Sequence, residues 1–189
     1  MNHKLQRALT CLLALTLLIC PTLAASSFPD VDESAEYAEA VEYLKDVGIM
    51  QGNDKGNFNP NHTVTRAEMA AIICRMLDET DNLIISETFI DVPSTHWANA
   101  YISRAAELEI VNGYGNGNFG PSDPVTYEQA IAMVVRAVGG EPEAQAAGGY
   151  PTGYLAVVQE YGLLEGITLK KGQPMVRADI AVLINNCVN

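Results

Sequence analysis

Apolar side chains recur at helical spacing in short paired blocks along the chain. Tyr37, Ala40, Val41, Leu44 and Val47 fall on one face of a helix, and Gly48 stands where a C-terminal cap belongs. A stretch rich in Gly, Asn and Pro follows, the residues that turn a chain. A second helix is predicted from Thr65, whose hydroxyl can accept a backbone N–H while Glu68 reaches back, forming a Thr-x-x-Glu capping box. Ile72, Ile73, Met76 and Leu77 supply its buried stripe. The plan then repeats. Tyr101, Ala105 and Leu108 mark a first helix, Thr126 and Gln129 a capping box, and Ile131, Val134, Val135 and Val138 the next stripe. Further on, Leu155 and Val158 mark a helix, and Ile180, Leu183, Ile184 and Cys187 mark the last one. Val176 stands at the start of that last helix and cannot cap it.

The blocks are copies of one another. Phe28-Pro29-Asp30-Val31 returns as Phe89-Ile90-Asp91-Val92, and the loop from Gly52 to Pro60 returns as Gly113 to Pro121, both 61 residues later. Thr65 with Thr126 and Arg75 with Arg136 keep the same register. A third, degenerate copy follows. Gly162 to Gly166 matches Glu109 to Gly113, Tyr150 falls on Trp97, Tyr154 on Tyr101, and Met175-Val176-Arg177-Ala178-Asp179 lines up with Val64-Thr65-Arg66-Ala67-Glu68. The units are placed at 28–78, 89–139 and 149–189, with Asp78 to Thr88 and Gly139 to Gly149 as linkers. Helix pairs this short cannot each bury a face alone, so the units are expected to pack together. The fold class is all-α.

The N-terminus changes the compartment. Lys4 and Arg7 precede an apolar run from Ala8 to Cys20, and small residues follow up to Ala25. This reads as a secretory signal peptide over 1–24, cleaved after Ala24. Ile19 stands before Cys20, where a lipoprotein would need a small residue. Removing the leader leaves nine Lys and Arg against 23 Asp and Glu, a formal charge of −14. So acidic a chain opposes nucleic acid and anionic lipid, and no membrane insertion is expected after cleavage. Any anionic partner must be held by a few local cations. Of four cysteines, Cys11 and Cys20 leave with the signal. Cys74 and Cys187 read as buried free thiols or as one bridge, which an exported protein permits.

The combination of Phe-x-Asp-Val, Trp97-Ala98, Gly-x-Phe-x-Pro and Val64-Thr65-Arg66-Ala67-Glu68 resembles the S-layer homology family, from Phe28 onward. That resemblance implies a pseudo-threefold, three-pronged domain. It also implies non-covalent binding of a secondary cell-wall polysaccharide, often pyruvylated, in grooves between prongs, and so a place at the bacterial cell surface. In the family the Arg of Thr-Arg-Ala-Glu is associated with ligand. It maps onto Arg66 and Arg177, whereas the second repeat reads Thr126-Tyr127-Glu128-Gln129 and has lost the cation. The Trp position holds Trp97, with Glu36 and Tyr150 in the other units. Gly52 and Gly113, which open the glycine loops, are placed among the ligand-binding candidates with Arg66, Arg177, Trp97, Asp30 and Asp91.

Electrostatics supports Arg66 independently. A cation in the first helical turn faces the positive end of the helix dipole, so its presence asks for an anion. Free N–H groups at the helix start together with a guanidinium would make a carboxylate clamp. Alternatively, Arg66 pairs with a nearby acid. Trp97 either stacks on a sugar ring or is buried, and Asp30 and Asp91 either anchor their turns or accept sugar hydroxyls. Gly113-Tyr114-Gly115-Asn116-Gly117 has no preceding strand and no following Lys, so it reads as a turn rather than a phosphate loop. Asn53 to Asn57 lacks the carboxylates of a calcium loop. His62 and His96 do not occupy equivalent positions. No metal, cofactor or catalytic set is expected. A glycosidase would need a pair of carboxylates, which so acidic a chain supplies by chance, and family members that are enzymes carry the catalytic domain outside the repeats. A nearer rival is a repeat domain that binds another surface protein or assembles a coat without glycan.

Overall fold

The computed structural model describes residues 26–81 and 83–189; the leader expected at 1–24 lies outside these. Among the described residues there are seven helices: α1 (Ala38–Asp46), α2 (Arg66–Met76), α3 (Asn99–Glu107), α4 (Tyr127–Ala137), α5 (Glu141–Ala146), α6 (Thr152–Glu160) and α7 (Arg177–Val188). They include no strand, only three isolated bridges, so the fold is all-α as expected. None of these helices is long and apolar enough to cross a membrane.

The helix starts follow the sequence chemistry. Thr65 and Thr126 each accept the N–H of the residue three further on, and Glu68 and Gln129 accept the Thr backbone N–H in return. At α7, Val176 holds almost the same extended backbone (φ −89°, ψ 160°, against −79° and 161° at Thr65) without a side-chain cap. The first helices end at Gly48 (φ 79°), Glu109 (φ 59°) and Gly162 (φ 71°), each in the left-handed region. Glu109 pays the steric cost that glycine avoids at the other two places.

The second helix of each pair packs not on its own first helix but on the one that follows: α2 on α3, α4 on α6, and α7 back on α1. At the centre, three backbone bonds close a ring. Val64 N donates to Met175 O (3.0 Å), Met175 N to Val125 O (2.9 Å) and Val125 N to Val64 O (2.8 Å). One turn outward, Arg66 N donates to Asp123 O, Tyr127 N to Gln173 O and Arg177 N to His62 O. Val64, Val125 and Met175 are fully buried where these segments meet, so a single core runs through the domain.

Several expectations need correction. Val47 and Val138, assigned to buried stripes, are exposed, because each caps the C-terminal end of its helix after the buried face has ended. Gly139 to Gly149 is not a plain linker: it contains α5, whose Ala144 is buried against the core. Cys74 and Cys187 are both free, which removes the bridge, and Cys187 is half-buried rather than buried.

Candidate functional site

Arg66 enters the first turn of α2 with a side chain only 6% exposed. Its Nε donates to Phe119 O and its Nη2 to Asn112 O, both at 2.8 Å. The guanidinium lies over Phe119 and Tyr114, at 4.5 and 4.9 Å from the ring centroids. Neither the acid partner nor the free helix N–H groups expected from the sequence are found at Arg66 among the described residues. None of the ion pairs among the described residues includes Arg66. The helix N–H groups are not free either, since Arg66 N, Ala67 N and Glu68 N are taken by Asp123 O, Pro121 O and Thr65 Oγ1. Carbonyl dipoles satisfy the guanidinium without cancelling its charge. Among the described residues its Nη1 has no acceptor, and no buried side-chain polar atom lacks one, so Nη1 is not sealed from solvent by them. Burial lowers the Arg66 pKa, with Tyr114, Asp123 and Asp91 acting against that shift.

Arg66 forms one wall of a groove of about 310 Å³. The loop residues Asn112, Gly113 and Tyr114 form a second wall, and Gln129, Met133 and Arg136 of α4 a third. Tyr150, 53% exposed, closes the end. Arg136 is held in place by Glu141 (Nε to Oε2, 3.1 Å) and by the Tyr154 hydroxyl (2.9 Å), and lies over the Tyr154 ring. No carboxylate lines this groove. Two guanidiniums, two tyrosines and a carboxamide can hold an anionic, hydroxyl-rich ligand; no arrangement here activates a nucleophile.

Arg177 repeats the Arg66 geometry: Nε donates to Phe58 O and Nη2 to Gln51 O, both at 2.8 Å, with the ring of Phe58 4.6 Å below. Its pKa is lowered by burial, against which Glu68 and Asp30 act. At the remaining equivalent position Tyr127 is fully buried, its hydroxyl donating to Asp179, with Lys170 over its ring. A groove of about 420 Å³ between α1 and α7 is lined by Glu36, Glu39 and Glu165 and carries no cation.

The other sequence candidates separate clearly. Trp97 is 59% exposed and stacks on His96 just before α3; it does not line the Arg66 groove. Asp30 accepts Phe58 N (2.8 Å) and Asn59 N (2.7 Å), and Asp91 accepts Phe119 N and Gly120 N (2.8 Å each). Both acids therefore anchor the glycine loops. Gly52 and Gly113 are small for packing reasons, since a Cβ would fall 2.6 Å from Phe28 Cε1 and 2.7 Å from Phe89 Cε1 respectively. His62 is exposed. No group of metal-ligating side chains occurs among the described residues. Sequence reasoning missed Arg136, Gln129 and Tyr150 as site residues. The repeat register had already aligned Arg136 with Arg75 and Tyr150 with Trp97, but the helix exchange that brings them to Arg66 has no sequence signature. Asn99, also missed, is 1% exposed and ties Ser86, Val92 and Pro93 to α3 through its side chain.

Comparison with known proteins fits this geometry. The S-layer homology domain model matches residues 27–70 and 88–131. A cell surface protein of Thermoanaerobacter kivui is 35% identical over 169 residues, 87% of this chain and 22% of that protein. A middle cell wall protein of Brevibacillus brevis is 30% identical over 190 residues, 99% of this chain and 18% of its own length. An amylopullulanase of Thermoanaerobacterium thermosulfurigenes is 37% identical over 115 residues, which are 58% of this chain and 6% of the enzyme. The chain thus spans less than a quarter of the length of these relatives. The 61-residue register, the paired capping boxes and these matches agree with one another: residues 27–70 and 88–131 are each similar to the S-layer homology domain.

Proposed function

We propose that this chain binds a secondary cell-wall polysaccharide non-covalently and so holds itself at the bacterial cell surface, with the Arg66 groove as the principal site. The observation that carries this reading is a groove lined by a buried, carbonyl-held guanidinium that makes no ion pair among the described residues, by two tyrosines and by no carboxylate. A pyruvyl ketal or a uronic acid offers the anion for Arg66 Nη1, and its sugar ring a face for Tyr114 or Tyr150. The protein is a cell-wall-associated surface protein, as its cell-surface and cell-wall relatives suggest. Binding rather than turnover is its work.

The segment 149–189 is read as a third, degenerate repeat beside repeats at 28–78 and 89–139, and the three as a pseudo-threefold domain. The closed ring through Val64, Val125 and Met175 and the circular helix exchange support that reading. In it, Arg177, Gly52 and Trp97 mark the equivalent place at the loop of the first repeat.

Co-sedimentation of residues 25–189 with purified bacterial walls tests the function, before and after the secondary polymer is stripped, with Arg66→Gln checked for folding by thermal melting. Pelleting that disappears on stripping and weakens in the variant is expected. Pelleting of a folded protein that survives stripping would move the assignment to binding of another surface protein.

A further inference from the structure

The third residue of each second helix differs: Glu68 in α2, Gln129 in α4 and Asp179 in α7. In α2 and α4 that residue completes the same capping box. Thr65 N donates to Glu68 Oε2 at 2.8 Å, and Thr126 N to Gln129 Oε1 at 3.2 Å. The carboxylate makes the shorter bond, and a negative charge is favoured at a helix N-terminus. On capping grounds alone Glu is the better residue, so Gln at 129 gives up cap strength.

The groove shows what is gained. Gln129 lines the same groove as Arg66 and Arg136. Arg136 is already paired with Glu141, whereas Arg66 makes no ion pair among the described residues; Asp123 and Asp91 act on its guanidinium but do not line the groove. At Arg177 the corresponding cap is Glu68, the foremost of the acids acting on that guanidinium. Asp179 is engaged by the Tyr127 hydroxyl and lies 3.7 Å from Lys170. We infer that Gln129 is the specificity-determining residue of the Arg66 groove: its amide caps α4 without adding a carboxylate to the groove wall, so that this groove, and not the place at Arg177 where the cap is Glu68, admits an anionic sugar. The inference rests on the polysaccharide-binding reading above.

The test uses anionic polysaccharide released from purified walls, and the same polymer with its carboxyl groups reduced to alcohols, titrated calorimetrically into residues 25–189. Wild type is expected to bind the anionic form and to bind the reduced form much more weakly. Gln129→Glu puts a like charge beside the bound carboxylate, so its affinity for the anionic form falls about tenfold while its melting temperature holds or rises through the better cap. Glu68→Gln is expected to add a second anionic-polymer site per chain. Unchanged affinity in Gln129→Glu, or no gain of sites in Glu68→Gln, while wild type still discriminates by charge, overturns the role of Gln129 and leaves the polysaccharide reading standing. Wild type that binds neither polymer, or both equally, overturns that reading as well.

Discussion

Replacing Asp91 with Ala removes the side chain that holds the second glycine loop to its own repeat by accepting Phe119 N and Gly120 N, at 2.8 Å each. Hydrogen bonds to a charged acceptor contribute about 1.5–3 kcal/mol each. The two N–H groups are only part-buried and regain some water, so the low end applies and the loss is about 3 kcal/mol. For a domain of this size that lowers Tm by roughly 6–12 °C. Asp30 makes the equivalent pair of bonds to Phe58 N and Asn59 N, and Asp30→Ala is expected to lower Tm equally. The two loops are separate, so the double variant loses about the sum of the two. The variants differ in binding, because only the Asp91 loop supplies Asn112, Gly113 and Tyr114 to the Arg66 groove. Circular dichroism melts of residues 25–189, with polysaccharide titration at a temperature where every variant is folded, measure both effects. An Asp91→Ala protein melting within about 2 °C of wild type would refute the anchoring argument.

Three other outcomes are expected. Val176→Thr supplies α7 with the hydroxyl cap that α2 and α4 already have and stabilises the domain by about 1 kcal/mol; a melting temperature that fails to rise would show that the backbone at 176 does not present the hydroxyl to Asp179 N. Burial pushes the Cys74 thiol up to about 11 and Cys187 up to about 12, so at pH 8 a thiol reagent should label the native protein far more slowly than the unfolded one; rapid native labelling of Cys74 would contradict its burial. Glu141 is shifted down: burial opposes the shift, but the bonds from Tyr154 and Gln145 and the charge of Arg136 outweigh it. Its contribution is therefore complete above the ordinary glutamate range and lost as pH falls through the lowered folded value, so Glu141→Gln should flatten the acid limb of the stability profile and leave neutral pH less stable; identical acid limbs would disprove it.

Local chemistry was legible in the sequence wherever the signal and its partner lie within one turn of each other. Thr65 with Glu68 and Thr126 with Gln129 are three residues apart, and both boxes form as expected. The glycine at 48 sits at a helix end with positive φ for the same reason. What the sequence did not show is contact across the exchanged helices. Arg66 was expected to seek an acid or an anion, yet its protein partners are Phe119 O and Asn112 O, main-chain atoms that any residue carries. Trp97 was the natural aromatic candidate because it is the family residue, but the groove at Arg66 receives the aromatic of the following segment, Tyr150. α5 was hidden because Gly and Ala enrichment reads as a linker, although the buried Ala144 and the bond from Arg136 to Glu141 make it part of the core.

The circular exchange also explains why so few substitutions separate one groove from another. Each guanidinium position serves two ends at once: it pins the neighbouring loop by its carbonyls and presents charge beside that loop. Tyr127 keeps the stacking volume at its position but exchanges the loop-pinning bonds for a hydroxyl donated to Asp179, while Glu128 takes over by accepting Gly172 N at 2.9 Å. Structural closure is thereby retained without a cation. The neighbouring groove between α1 and α7 is then left to Glu36, Glu39 and Glu165, whose charges oppose the anionic ligand proposed for Arg66. Restoring the cation alone, as in Tyr127→Arg, would leave those three acids in place. A chain built this way can change how many of its grooves accept an anionic polymer by altering one cation and the acids facing it, with the core through Val64, Val125 and Met175 untouched.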